Sequence, residues 1–347
     1  DNFFQKGMNS LQKGDTLAAY QYIESSYLFN PQDDDVAYHY LSLSLALDKP
    51  FAEPSAQEWI ALTNNKIFKS RLQFQLGKFY FKNNKEQLAL KSFKNVSIED
   101  LENEEIQLMK FQQGYLYFKS GDWDKAVSLL NNVRQVKQSV FYADANYYAG
   151  FIALERKEFK LALNCFEIAS QSSRYNKLAP FYISQLYYFL GDIDAAMTHC
   201  ESALKQGGQY YEIQLNQLMG HLLFEKKDYP KALPYLSQYV ASQKKVEEQD
   251  LYQLSFCYFQ SQEWNKAIDG FKQLANIEDS LGQNSMYLLA TSYLKIKDKS
   301  GAKNAFLLCA TKSQNLSQKE ISLFNYAKLC IELKEYSTAV ASLDKFM

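Results

Sequence analysis

Gly114-Tyr115-Leu116-Tyr117-Phe118-Lys119-Ser120-Gly121-Asp122-Trp123-Asp124-Lys125-Ala126 sets a small residue and an alanine twelve positions apart, with a Gly-Asp pair between them. The same spacing joins Gly7 to Ala19, Ser44 to Ala56, Gly77 to Ala89, Gly150 to Ala162 and Ser184 to Ala196. It recurs from Gly220 to Ala232, Ser255 to Ala267, Ala290 to Ala302 and Ala327 to Ala339. Successive alanines lie 33–37 residues apart. A fixed period of that length marks an array of repeats. Twelve residues carry the chain from the middle of one helix, through a short turn, into the next. Small residues at both places let two antiparallel helices approach to about 8–10 Å. We therefore expect the small residue of one helix to face the alanine of the other.

Neighbouring positions keep the same register. Four residues after the alanine stands Ile23, Ile60, Phe93, Leu130, Phe166, Cys200, Leu236, Phe271, Phe306 or Leu343. Three residues after the small residue stands Leu47, Tyr80, Tyr117, Ala153, Tyr187, Leu223, Tyr258 or Tyr293. Spacings of three and four residues place these side chains on one buried face of each helix. Gly14-Asp15, Gly121-Asp122 and Gly191-Asp192 occupy one slot of their repeats. There glycine ends the first helix in the left-handed conformation and aspartate caps the second. Asp228, Asp298, Glu158, Glu263 and Glu335 keep the slot acidic elsewhere.

The quoted block, with its echoes along essentially the whole chain, resembles the tetratricopeptide repeat, a helix–turn–helix unit of 34 residues. The consensus tryptophan is missing, the closing proline is clear only at Pro31, and several spacers are longer than the family's. The resemblance implies an all-α fold, a right-handed superhelical α-solenoid of about ten repeats forming one unit over residues 1–347. The repeats span approximately 2–31, 37–68, 70–103, 107–140, 143–174, 177–209, 213–245, 248–280, 283–315 and 320–347. Pro50 and Pro54 in the second must avoid a helix interior, which predicts a longer connection there. Pro230 fits a first helical turn, whereas Pro234 lies deeper and predicts a kink or a late helix start.

Composition narrows the function. Lys plus Arg number 38 and Asp plus Glu 39, a net charge of −1, so no basic surplus is available to neutralise phosphates and nucleic acid is not expected as a partner. No apolar run approaches the roughly 20 residues that span a bilayer. Asp1-Asn2-Phe3-Phe4 leads straight into a helix, and Leu343-Asp344-Lys345-Phe346-Met347 stops inside one, so we expect a piece of a longer repeat protein. Richness in Asn, Gln, Lys, Tyr and Phe is similar to the long multi-repeat proteins of Bacteroidetes-type bacteria. That likeness implies the periplasm or cell envelope, with the cytoplasm as the alternative.

Nothing in the chain points to catalysis. The motifs of phosphate-binding loops, dinucleotide sites, zinc proteases and serine hydrolases are absent from the sequence. His39, His199 and His221 stand far apart, and no cofactor or metal is expected. Asp33-Asp34-Asp35, Glu104-Glu105 and Glu247-Glu248 read as helix-capping carboxylates. Cys165, Cys200, Cys257, Cys309 and Cys330 fall at packing positions, with a bond between Cys165 and Cys200 conceivable.

In the family that the chain resembles, first helices line a concave groove with three positions spaced i, i+4 and i+7. Those positions form an aromatic ladder here. Its members include Phe74, Phe111, Tyr147 and Phe181 on the first rung, Tyr115 and Phe151 on the middle one, and Phe81, Phe118 and Tyr188 on the last. Lys78, Lys82, Lys119, Asp144, Glu155, Gln185, Gln217 and His221 supply mixed polar groups at its edge. The expectation is a non-enzymatic scaffold that holds a protein or peptide segment in this groove, in an aromatic pocket of repeats 4 to 6 where Phe111, Phe118, Tyr147 and Phe181 surround Tyr115 and Phe151. The alternatives are a structural spacer that self-associates, and a glycan or cell-wall ligand gripped by the aromatic faces.

Overall fold

The computed structural model describes residues 2–344. These contain twenty α-helices, a 3₁₀ turn at Ile98–Asp100, and no strand. They divide into two compact units between Ser172 and Ser173. The first unit holds α1 (Asn2–Gln12), α2 (Thr16–Phe29), α3 (Asp34–Ala46), α4 (Ala52–Leu62), α5 (Lys66–Lys82), α6 (Glu86–Lys94), α7 (Asn103–Ser120), α8 (Trp123–Arg134), α9 (Tyr142–Glu155) and α10 (Phe159–Ser170). The second holds α11 (Ala179–Phe189), α12 (Ile193–Gln206), α13 (Glu212–Glu225), α14 (Tyr229–Ser242), α15 (Glu248–Gln260), α16 (Trp264–Lys272), α17 (Ser280–Lys295), α18 (Lys299–Thr311), α19 (Leu316–Glu332) and α20 (Tyr336–Asp344). Odd- and even-numbered helices pair as the hairpins that the period predicts. Within each unit, the second helix of one hairpin packs on the first helix of the next. The side chain of Leu343 and residues 345–347, on which the expectation about the chain's end rests, lie outside the described residues.

The recurring alanines are all 2% exposed or less. The small residue opposite, however, makes room for a different neighbour than expected. A methyl group on Gly220 would stand 2.6 Å from Leu236, one on Gly114 3.0 Å from Leu130, and one on Gly150 3.1 Å from the Phe166 ring. At Gly7 and Gly77 it would collide with Ile23 and Phe93. The residue four positions past the alanine is therefore a knob seated in the hole that the missing side chain leaves. Serine takes the same place in three other hairpins. The hydroxyls of Ser44, Ser184 and Ser255 donate back to the carbonyls of Tyr40, Pro180 and Leu251 at 2.8, 2.9 and 2.6 Å, so no polar group is buried unpaired there.

The turns follow one geometry. Seven residues after the small residue the backbone is left-handed in nine hairpins, at Gly14, Asn84, Gly121, Lys157, Gly191, Lys227, Gln262, Lys297 and Lys334. Glycine takes this conformation freely, while the other types carry a steric cost of about 1–2 kcal/mol. The second hairpin departs: its left-handed residue is Asp48, only four after Ser44, and the connection continues through Pro50. Asp15, Asp122, Asp192, Asp228 and Asp298 each accept a hydrogen bond from a backbone N–H in the next helix's first turn. Glu158 and Glu263 at the same place make no such bond. Pro54 sits in the first turn of α4, where its missing N–H costs nothing. No late start occurs at Pro234: α14 begins at Tyr229 and runs through it.

All five cysteines are free and buried, and the conceivable bond between Cys165 and Cys200 is not formed. Burial pushes the thiols of Cys200 and Cys257 up to about 12. No helix among the described residues is long and apolar enough to cross a membrane.

Two stability measurements follow. Replacing glycine by alanine in a helix gains about 1 kcal/mol of propensity, against an overpacking cost of roughly 1–3 kcal/mol. Gly77→Ala, which drives a methyl into the 2% exposed Phe93, should therefore lower stability in urea, while Gly150→Ala should change it little. Equal effects would contradict the knob geometry. Lys157→Gly and Lys227→Gly, at exposed left-handed positions, should each raise the free energy of unfolding by roughly 0.5–1 kcal/mol.

Candidate functional site

The first helices of the third, fourth and fifth hairpins bring a run of rings together inside the first unit. Phe81 on α5 meets Tyr115 on α7 edge-on at 5.9 Å. Tyr115 and Phe118 then meet Tyr148 on α9 at 5.0 and 5.1 Å, and Phe118 reaches Phe151 at 6.5 Å. Phe111 stacks on Phe141 at 4.9 Å and on Tyr115 at 6.3 Å. Each of these rings is half-buried. Edge-to-face and offset contacts at such separations are the favourable geometries for aromatic pairs.

The expected ladder is only partly gathered here. Phe74 is 1% exposed and packs in the core of the first unit with Phe93, because its rung points at the second helix of its own hairpin. Tyr147 is buried against the Phe166 ring at 5.8 Å. Phe151 also turns an edge to Phe166, at 5.1 Å, and so belongs partly to the core. Phe181, Gln185 and Tyr188 lie in the second unit. There Phe181 packs on Tyr211 at 5.4 Å, and the Tyr188 hydroxyl donates to Glu225 at 2.7 Å.

Sequence reasoning missed Tyr148 and Phe141. Tyr148 stands two residues before the small Gly150, a position outside the three rungs. The glutamines Gln75 and Gln112 hold the equivalent place in the two preceding hairpins. That place faces the preceding hairpin's middle and last rungs. Tyr148 meets Tyr115 and Phe118 there, and Gln112 lines a depression of about 220 Å³ with Lys78, Phe81, Gln75 and Leu45.

The edge is less charged than its composition suggests. Lys82 pairs with Asp48 and Lys119 with Glu86, each reaching from the end of a first helix to the preceding hairpin. Arg156 and Asp124 repeat the link at 2.6 Å. Asp144 is buried. Lys78 differs from the other lysines at this edge. Its ammonium donates to the neutral Gln75 amide at 3.1 Å and lies 5.3 Å from the Phe74 ring centre. Burial pushes the Lys78 pKa down, with the charge of Glu105 opposing the shift.

In the second unit, His221 and Gln217 of α13 converge on Asp250 of α15, at 2.5 and 2.9 Å. Asp250 is 2% exposed. Burial alone would raise its pKa. Hydrogen bonds from His221, Gln217 and Tyr239 outweigh that and hold the carboxyl below its ordinary range. This cluster ties two hairpins together. Among the described residues, no three or more His, Cys, Asp or Glu side chains are grouped to hold a metal ion.

Residues 109–136, which run from within α7 through the turn and α8, match the family model described as tetratricopeptide repeat. The chain carries a tetratricopeptide repeat. Its other hairpins keep the small-residue and alanine register of that tetratricopeptide hairpin. No curated protein matches the chain. Among solved structures it is similar to a point mutant of MamA, with 16% identity, a TM-score of 0.43, and coverage of 52% of this chain and 100% of that one. A tetratricopeptide repeat protein from Parabacteroides merdae shares 16% identity over 74% of this chain and 97% of that one, with a TM-score of 0.41. The TPR domain of P58(IPK) shares 18% identity over 95% and 98%, with a TM-score of 0.29.

The lowered Asp250 pKa sets a pH dependence for the second unit. A carboxyl whose folded pKa is depressed stabilises the fold above its unfolded pKa, and that stability is lost as pH falls through the folded value, hence below about pH 4. Hydrogen-exchange protection factors at α13 and α15, which remove the intrinsic pH dependence of amide exchange, should therefore fall in acid. Asp250→Asn should exchange faster at neutral pH and show a flatter acid response. An unchanged acid response in the variant would assign the effect to other carboxyls.

Proposed function

We propose that the chain is a non-enzymatic scaffold that holds a partner protein segment on the first-helix face of its first unit. Tetratricopeptide repeats generally serve as protein-interaction modules, and the class of function follows from the family. The observation that carries the site is the run of half-exposed rings from Phe81 through Tyr115, Phe118 and Tyr148, continued by the depression beside Lys78 and Gln112. Exposed aromatic clusters beside polar groups are the usual anchors of protein interfaces. Their rings offer large apolar contact with little rotamer entropy to lose. Phe111 and Phe141 support the cluster from the side. Lys82 and Lys119 are already paired within the chain, so apolar contact contributes more than charge.

The test is affinity selection of random decapeptides on the intact chain. Selected peptides should carry aromatic or aliphatic anchors. Changing Tyr115 and Phe118 together to alanine should weaken their binding at least about tenfold, the loss of a single good anchor being worth about 1–2 kcal/mol or more. Helicity should be kept. Binding that survives the double change with helicity intact would remove this face as the site.

A further inference from the structure

We infer that a cavity between α2, α3 and α4 binds an organic cation, an alkylammonium or guanidinium group carried on an apolar stem. The second hairpin is where the repeat loses its regular geometry. Its turn comes early, at Asp48, and the connection continues through Pro50. There α3 packs more on α5 than on its own partner α4. A cavity of about 510 Å³ opens at the other end of this hairpin, where α3 begins and α4 ends. Small-molecule sites usually measure roughly 300–1,000 Å³. The cavity shares no residue with the aromatic run from Phe81 to Phe151.

The lining favours positive charge and apolar contact together. Trp59 and Tyr27 supply aromatic walls, and Leu41 and Leu62 aliphatic ones. Stacking on Tyr40 at 4.4 Å holds the Tyr27 ring in place. Aromatic faces attract a cation that has shed part of its water. Asp34 and Glu58 are the charged groups of the lining, and no basic side chain shares it. Among the described residues, Asp34 is met only by the Thr63 hydroxyl, at 3.4 Å, and Glu58 has no partner. Asp48 and Glu53 of the same hairpin are, by contrast, each answered by a lysine of the next, Lys82 and Lys85. Both α2 and α4 end at the cavity, and neither has a basic residue in its last turn. Helix C-termini carry partial negative charge, which favours a bound cation. The start of α3 opens there too, but Asp33 caps its N–H groups. An anion would meet both carboxylates. A metal ion would need three or more His, Cys, Asp or Glu side chains grouped together, and the described residues hold no such group.

The chain has three tryptophans, so labelling with 5-fluorotryptophan gives three fluorine NMR signals, and Trp59→Phe assigns one of them. Titrating the intact chain with pentylammonium should shift the Trp59 signal saturably while those of Trp123 and Trp264 stay fixed. Pentanol, its neutral match, and methyl glucoside should leave all three unmoved. Added salt should weaken the binding. Changing Asp34→Asn and Glu58→Gln together should weaken it about fivefold or more, with helicity kept. Glu58→Gln alone, at an exposed residue with no partner to lose, should weaken it about twofold without touching the fold. A lysine blocked at both ends carries the same ammonium on a peptide unit. If it binds as tightly as pentylammonium, the cavity takes a partner's side chain; if it is excluded, the cavity takes a free amine. Either result supports the inference. No saturable Trp59 shift, an equal shift by pentanol or methyl glucoside, or full binding by the double variant overturns it. None of these outcomes depends on Tyr115 or Phe118, so the peptide face stands or falls by its own test.

Discussion

The structure depends on a knob filling a hole at the centre of each hairpin. A first helix with a glycine at its midpoint leaves a space that one large side chain of the second helix enters. Ile23, Phe93, Leu130, Phe166, Leu236 and Phe271 are each 2% exposed or less. Interiors are packed at near-crystalline density, so a contact of this kind has little tolerance in either direction. Repetition at 33–37 residues carries the same spacing along the chain. Each hairpin leaves an apolar flank that its neighbour covers, which is why no single repeat is a stable unit by itself.

The regular parts of the fold were legible because they obey local rules. Burial of every recurring alanine, the left-handed glycines and the capping aspartates all follow from spacing and residue type. What spacing could not supply is which residue meets which. Gly77 and Ala89 mark the right pair of helices, but the side chain that needs the space is Phe93, four residues further on. Likewise, acidic residues at the turn looked equivalent, yet aspartate reaches the backbone N–H groups while Glu335 pairs with Lys303 at 2.7 Å instead. The lysines and glutamine that accept a left-handed backbone gave no signal at all, because that conformation is imposed by the hairpin rather than preferred by the residue.

The candidate site shows the same division. A ladder at i, i+4 and i+7 placed Phe81, Tyr115 and Phe118 on one face, where their rings do meet those of neighbouring helices. It put Phe74 there as well, although that ring turns into the core. One-dimensional spacing does not distinguish a position that leans outward from one that leans toward the second helix. Tyr148 lay outside the pattern since its contacts belong to the preceding hairpin, a relation visible only once two hairpins are stacked. Ion pairs between successive hairpins then consume Lys82 and Lys119.

A double-mutant cycle on Gly220 and Leu236 tests the packing account most directly, since a methyl on Gly220 would stand 2.6 Å from the leucine. Leu236→Ala alone should cost about 2–5 kcal/mol in urea unfolding. Adding Gly220→Ala to that variant should recover part of the loss, so that the pair couples by at least about 1 kcal/mol. Strict additivity of the two changes would mean that the glycine and the leucine do not share one space, and would contradict the account.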